Sequence, residues 1–140
     1  MRETERPPLD GGTVLVTGAS AGIGRELAVQ LAARAGTLVL VARRIDRLEQ
    51  LRRELLAGHP RLKVVALAAD LSDEGDVTSL LARVHEQVGS VDVLVNNAGI
   101  GDAVLFDRAD WSRTRAVLRT NVVAIAQLSA SLVPCLPSHV

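Results

Sequence analysis

A chain of 140 residues, 48% of them hydrophobic, suffices for one packed core and leaves no room for a second domain. The 16 basic and 16 acidic side chains cancel to zero formal charge, so no net field draws the chain to nucleic acid or to an anionic membrane, and a small-molecule partner is expected. A single cysteine, Cys135, excludes an internal disulfide, and an N-terminus reading Met-Arg-Glu-Thr-Glu-Arg-Pro-Pro lacks the apolar run of a secretory signal, so a cytoplasmic protein is expected.

Residues 1–11 are charged and proline-containing with no apolar period, and read as a flexible lead-in to a single domain over 12–140. Thr13–Thr17 is a short β-branched run, a buried strand that ends at a glycine-rich turn. The helix after it spans Ile23–Ala35, with Ile23, Leu27, Leu31 and Ala35 four apart on one face and Gly36 as its stop. Thr37–Ala42 reads as a strand covered on both sides, followed by a helix over Asp46–Ala57 that turns Leu48, Leu51, Leu55 and Leu56 inward and is broken at Gly58-His59-Pro60. Lys63–Ala68 is a third strand, and Ser72 caps a third helix that runs to Val88 with Asp73 and Glu74 at its positive end. Strand Val91–Val95, a loop over Asn96–Arg108, and a last helix from the Asp110 cap to Val133, stopped by Pro134 and Pro137, complete the chain. Strands that alternate with helices predict a parallel, doubly wound α/β sheet of about four strands with helices on both faces. The longest apolar stretch, 121–133, is interrupted by Gln127, Ser129 and Ser131 and is shorter than the roughly 20 residues a bilayer crossing needs. No His/Cys cluster suggests a metal.

The turn after the first strand reads Thr17-Gly18-Ala19-Ser20-Ala21-Gly22-Ile23-Gly24, with the helix opening inside it. A dinucleotide pyrophosphate needs backbone N–H groups and a helix N-terminus at close range: Gly18 allows the tight turn, Gly22 an unobstructed approach, and Gly24 close packing of helix on strand. Ser20 and Ile23 complete the candidate phosphate loop. A triphosphatase loop would need Gly-Lys-Ser/Thr, whereas Arg25 and Glu26 follow Gly24.

A carboxylate that grips the adenosine ribose is expected roughly 20 residues beyond the glycines. At that place stand Ala42, Arg43 and Arg44. A carboxylate would repel a 2′-phosphate and a guanidinium would hold it, so NADP is preferred over NAD, with plain solvation of two arginines as the competing use. Asp70 after the third strand is placed to accept from the adenine amino group while Leu71 packs on the ring, unless Asp70 caps the next helix instead. After the fourth strand, the amides of Asn96 and Asn97 are placed to tie strand ends together, and Ala98 and Gly99 leave space for the nicotinamide ribose.

With Thr17 to Gly24, Asp70-Leu71, Asn96 to Gly99 and Asn121 in this order and spacing, the chain resembles the short-chain dehydrogenase/reductase family from Thr13 to its end. The resemblance implies a Rossmann-like fold with the strand order 3-2-1-4 of a dinucleotide-binding sheet, and an NADP(H)-dependent oxidoreductase acting on a small carbonyl or alcohol, with Arg43 at the family's NADP position. It also implies a homo-oligomer through the last helix, and a catalytic serine, tyrosine and lysine that lie beyond these residues. The 140 residues contain no tyrosine, so this chain is expected to be a C-terminally truncated cofactor-binding portion, inactive alone. Of the catalytic set only Asn121 carries over, in a supporting role that competes with an asparagine satisfied locally. Two other functions stay open: a non-catalytic dinucleotide-binding module, and a serine hydrolase using Gly18-Ala19-Ser20-Ala21-Gly22 as a nucleophile elbow, whose only late histidine is His139. The substrate is not legible, and Phe106 is the single candidate for a pocket wall.

Overall fold

The computed structural model describes residues 9–101, 108 and 110–132. Residues 1–8 of the leader expected over 1–11, the pocket wall Phe106, and Cys135, Pro134, Pro137 and His139 lie outside them. Four strands, β1 (Thr13–Thr17), β2 (Thr37–Ala42), β3 (Lys63–Ala68) and β4 (Val93–Val95), form one parallel sheet in the order β3-β2-β1-β4. That is the order expected of a dinucleotide-binding sheet. Thr13 pairs with Thr37, Thr37 with Lys63, and Val14 with Val93.

Successive strand residues face opposite sides of the sheet, so the sheet builds two cores. Val14, Val16, Leu38 and Leu40 pack with α1 (Gly22–Leu31) and α2 (Ile45–Gly58) on one face. On the other, Leu15, Val39 and Val41 meet Val77, Leu80 and Val84 of α3 (Glu74–Gln87). The last helical segment closes that second core with Ala124 and Leu128.

Four local expectations are corrected. The first helix stops at Leu31, four residues short of Ala35, and continues as hydrogen-bonded turns in which the Arg34 and Ala35 N–H groups both donate to the Leu31 carbonyl. Its core face is a stripe of small residues, Gly24, Ala28 and Ala32, and Ile23 is 74% exposed. Small side chains bring the helix axis close to the sheet, which a Leu/Ile stripe would hold away. Strand β4 begins at Val93, because the Asp92 N–H goes to the Thr13 carbonyl while the Asp92 carboxylate takes the Thr13 N–H at 2.8 Å. The cap of α3 is Asp73, which accepts from the Asp76 N–H at 2.8 Å; Ser72 is drawn to Asp70 instead. The last helix is not continuous: α4 (Trp111–Leu118) passes through a π-helical turn, Arg119–Val123, into α5 (Ala124–Leu132).

The outer edge at β3 is guarded. Lys63 and Ala69 donate to the Gly36 and Ala42 carbonyls, so the alternation of a parallel ladder turns the groups of Val64, Ala66 and Ala68 outward. Arg52 of α2 donates through Nε to the Val64 carbonyl at 3.0 Å, and Arg83 of α3 through Nη2 to the Ala68 carbonyl at 2.8 Å. One arginine from each helical layer thus occupies a carbonyl that would otherwise invite another strand.

Candidate functional site

At the carboxyl end of β1 the chain turns sharply through Gly18, whose φ is +67°. A side chain there would be strained and would press on the Asn97 amide and the Ala98 backbone, 2.8 and 2.9 Å from an added Cβ. The Ala19 N–H is anchored on the Val41 carbonyl of β2, and the turn then enters α1. At Gly24 an added Cβ would collide with the Gly18 carbonyl oxygen and the Asn97 amide, so helix and turn touch backbone to backbone. Gly22 faces open space.

The start of α1 differs from the starts of α3 and α4. Carboxylates cap those two, Asp73 on α3 and Asp110 on α4. On α1 the cap is Ala21, no side chain accepts from its first turn, and that turn carries no acid. Its leading N–H groups and the positive end of its dipole are therefore left for an external anion.

The ends of β1 and β4 are held by one hydroxyl. Thr17, 1% exposed, takes the N–H groups of Asn97 and Ala98 on Oγ1 at 3.1 and 3.0 Å and donates to the Val95 carbonyl. The Asn97 amide donates to the Thr17 and Gly18 carbonyls at 3.0 and 3.3 Å, which ties the strand end to the glycine turn. Asn96 reaches the other way, to the Ser129 hydroxyl of α5. Asn121 sits in the π-helical turn with both ends of its amide on one residue: Oδ1 accepts from the Ile100 N–H at 2.9 Å and Nδ2 donates to the Ile100 carbonyl at 2.7 Å. It fixes the segment after β4 against the helix.

Between these ends lies a cleft of about 240 Å³, smaller than the roughly 300–1,000 Å³ of a site that encloses a drug-sized ligand, and sized for one nucleoside end. Of the residues expected to hold a cofactor, Gly18, Ser20, Arg43, Arg44, Asp70, Leu71, Ala98 and Gly99 line it. Gly22 and Ile23 stand exposed at the start of α1, and Gly24 and Asn97 act beneath the turn and do not line the cleft. Arg43 and Arg44 are exposed at the end of β2, and while the Arg44 carbonyl accepts from the Leu48 N–H, neither guanidinium donates to another described residue. Asp70 does not cap α3. Its Oδ1 takes the Ser72 hydroxyl at 2.7 Å and the Ser72 N–H at 3.0 Å. The hydroxyl bond, the backbone bond and the charge of Arg43, in that order among the lowering causes, hold its carboxyl below the ordinary value of 3.8 against a smaller opposing effect of burial. It is ionised at neutral pH and is therefore an acceptor.

Thr17, Ser72, Arg113 and Thr120 belong to this region and were not among the expected site residues. Thr17 opened the glycine motif, and a hydroxyl at a strand end is the signal that would have found it. Arg113, Ala116 and Thr120 share one helical face, but the helix was read by its large apolar residues, which miss that face. Ser20 has no positive φ, so the strained elbow of a nucleophilic serine is not formed. His59 lies with Ala32, Gly36 and Leu62 at the opposite, amino end of the strands.

Among the described residues no three His, Cys, Asp or Glu side chains gather as a metal site, and no helix is long and apolar enough to cross a membrane.

The family model for short chain dehydrogenases matches residues 12–139. The chain is 35% identical to the NADPH-dependent reductase BacG of Bacillus subtilis over 112 residues, covering 80% of this chain and 43% of the reductase. It is 40% identical to farnesol dehydrogenase of Aedes aegypti over 121 residues, 85% of this chain and 49% of that protein. L-sorbose reductase of Gluconobacter frateurii, solved with NADPH and L-sorbose, superposes with a TM-score of 0.82 at 32% identity, over 89% of this chain and 47% of that one. The chain thus spans less than half the length of each of these three proteins.

Proposed function

Because the chain belongs to the short chain dehydrogenase family, we propose that it is the NADP(H)-holding portion of an oxidoreductase that moves hydride between the cofactor and a small carbonyl or alcohol. One observation carries the cofactor choice: two guanidiniums, Arg43 and Arg44, share a cleft with the glycine turn where an NAD-binding site would place a carboxylate. In this reading the uncapped start of α1 and the Gly18 turn receive the pyrophosphate. Arg43 takes the 2′-phosphate through charge-assisted hydrogen bonds, with Arg44 beside it. The second oxygen of Asp70 accepts from the adenine amino group, and Leu71 lies under the ring. Ala98 and Gly99, held by Thr17 and by the Asn121–Ile100 pair, give the nicotinamide ribose room. Asn121 positions backbone in this scheme. When bound, NADPH supplies the hydride.

BacG carries NADPH dependence in its name, and L-sorbose reductase was solved with NADPH, which supports the same cofactor here. Calorimetric titration of both cofactors tests it. NADP(H) is expected to bind more tightly than NAD(H), and Arg43→Ala to weaken NADP by about 1.5–3 kcal/mol, the range for a charged hydrogen bond, with NAD nearly unchanged. Equal affinities for the two cofactors in the parent protein would refute the reading.

A further inference from the structure

Arg113 has no task in this account, yet it stands in the first turns of α4 and lines the same cleft. Its Nη2 donates to the Gly101 carbonyl at 3.0 Å, which sets the plane of the guanidinium. A guanidinium carries five N–H donors, so most of its donor capacity remains available. Among the described residues it joins no ion pair: Asp110, one turn earlier, is engaged by the Ser112 N–H and hydroxyl. The same cleft is lined by apolar Leu71 and Ala116, and Asp70, next to Leu71 in the chain, brings a carboxylate. Arg43 and Arg44, which belong to β2's end, lie on a different element.

A cleft that offers apolar contacts at Leu71 and Ala116, an acceptor at Asp70 and a planar cation at Arg113 complements a purine bearing an exocyclic amino group. The ring's π face attracts a cation, and arginine adds flat contact that lysine lacks. A phosphate would be served by the glycine turn and by Arg43 and leaves Arg113 without a partner. Resting on the dinucleotide reading above, we infer that Arg113 is a specificity-determining residue that lays its guanidinium against the adenine base and closes the adenine end of the cleft.

The 140-residue protein, Arg113→Ala and Arg113→Lys would be titrated by calorimetry with NADP, adenosine 2′,5′-bisphosphate and inorganic pyrophosphate. Thermal unfolding serves as the control for folding. Arg113→Ala is expected to weaken NADP and the bisphosphate by about 3- to 30-fold, the span of cation–π energies, and to leave pyrophosphate unchanged. Arg113→Lys keeps the charge and a donor for Gly101 but not the plane, and is expected to bind like the alanine variant. Wild-type affinity for the bisphosphate in either variant overturns the inference alone. So does an equal loss on pyrophosphate, which would make Arg113 a phosphate ligand. A parent protein that binds neither NADP nor the bisphosphate overturns the dinucleotide reading, and this inference with it.

Discussion

A single buried hydroxyl holds the floor of the cleft: Thr17 Oγ1 accepts two N–H groups from the segment after β4. Thr17→Val keeps the shape and removes the acceptor, leaving two part-buried donors unpaired, each costing about 1–3 kcal/mol. The expected outcome is a drop of a few kcal/mol in urea unfolding together with weaker dinucleotide binding. Unchanged stability would show that water replaces the hydroxyl. Asp70 gives a prediction in pH. Its folded carboxyl titrates below 3.8, so the stability it contributes is fully present above the unfolded value and is lost as pH falls through the lower folded value. Ser72→Ala removes the largest cause of that depression. Carboxyl NMR is then expected to show the Asp70 midpoint moving up toward 3.8, and an unmoved midpoint would assign the effect to Arg43 and the backbone. Residue identities in the turn were legible because each glycine meets a local demand. Partners were less so: Asn96 and Asn97 stand side by side, yet one reaches α5 and the other β1, a choice made by tertiary placement.

At the scale of elements, strands were read closely because an apolar run covered on both sides has few alternatives. Strand β2 and strand β3 have the ends expected of them. Helix α1 was legible only in part: of the apolar residues four apart, Leu31 and Ala35 pack against the first core while Ile23 is exposed, and Gly24, Ala28 and Ala32 are the buried ones. Periodicity reports where bulk recurs and does not say when close approach makes glycine and alanine the better contact. The guarding of β3 could not be read at all, since Arg52 and Arg83 look like solvated helix positions until the edge strand is placed beside them. Its prediction is direct. Replacing both arginines with alanine removes two charged donors from Val64 and Ala68, and stability is expected to fall by about 1–3 kcal/mol. Sedimentation velocity is expected to show more association than in the parent, and an unchanged species distribution would mean that the edge needs no guard.

For the whole molecule, the described surface of the last helical segment leaves Trp111 65%, Leu118 47% and Val122 58% exposed. Large apolar side chains at this exposure favour burial against a partner surface, so the 140-residue polypeptide is expected to self-associate in a concentration-dependent way. A monodisperse monomer across a hundredfold dilution would count against that. Because these 140 residues include no tyrosine, the polypeptide is also expected to oxidise no NADPH against a panel of ketones and aldehydes. Turnover that disappears in Gly22→Val would contradict it. The parallel sheet was legible from alternation, because right-handed crossovers leave few ways to wind such a chain, whereas the order 3-2-1-4 needed the glycine turn, since alternation also allows other orders.

The π-helical turn has a consequence for insertions and deletions. Thr120, Ala124 and Leu128 are all buried and stand four residues apart. In a regular α-helix, at about 100° per residue, each such step overshoots a full circle by about 40°. The wide turn absorbs part of that excess, so the Asn121 anchor to Ile100 and the Leu128 contact with the second core are satisfied on one rod. Deleting Val122, an exposed residue, is therefore expected to be tolerated better than a deletion elsewhere in the helix, because the wide turn holds about one residue more than a regular turn and can close to an α-helical one. Seven α-helical steps of about 100° then separate Thr120 from Leu128, within about 20° of two full circles, so both anchors are expected to survive, and a marked loss of stability would count against it.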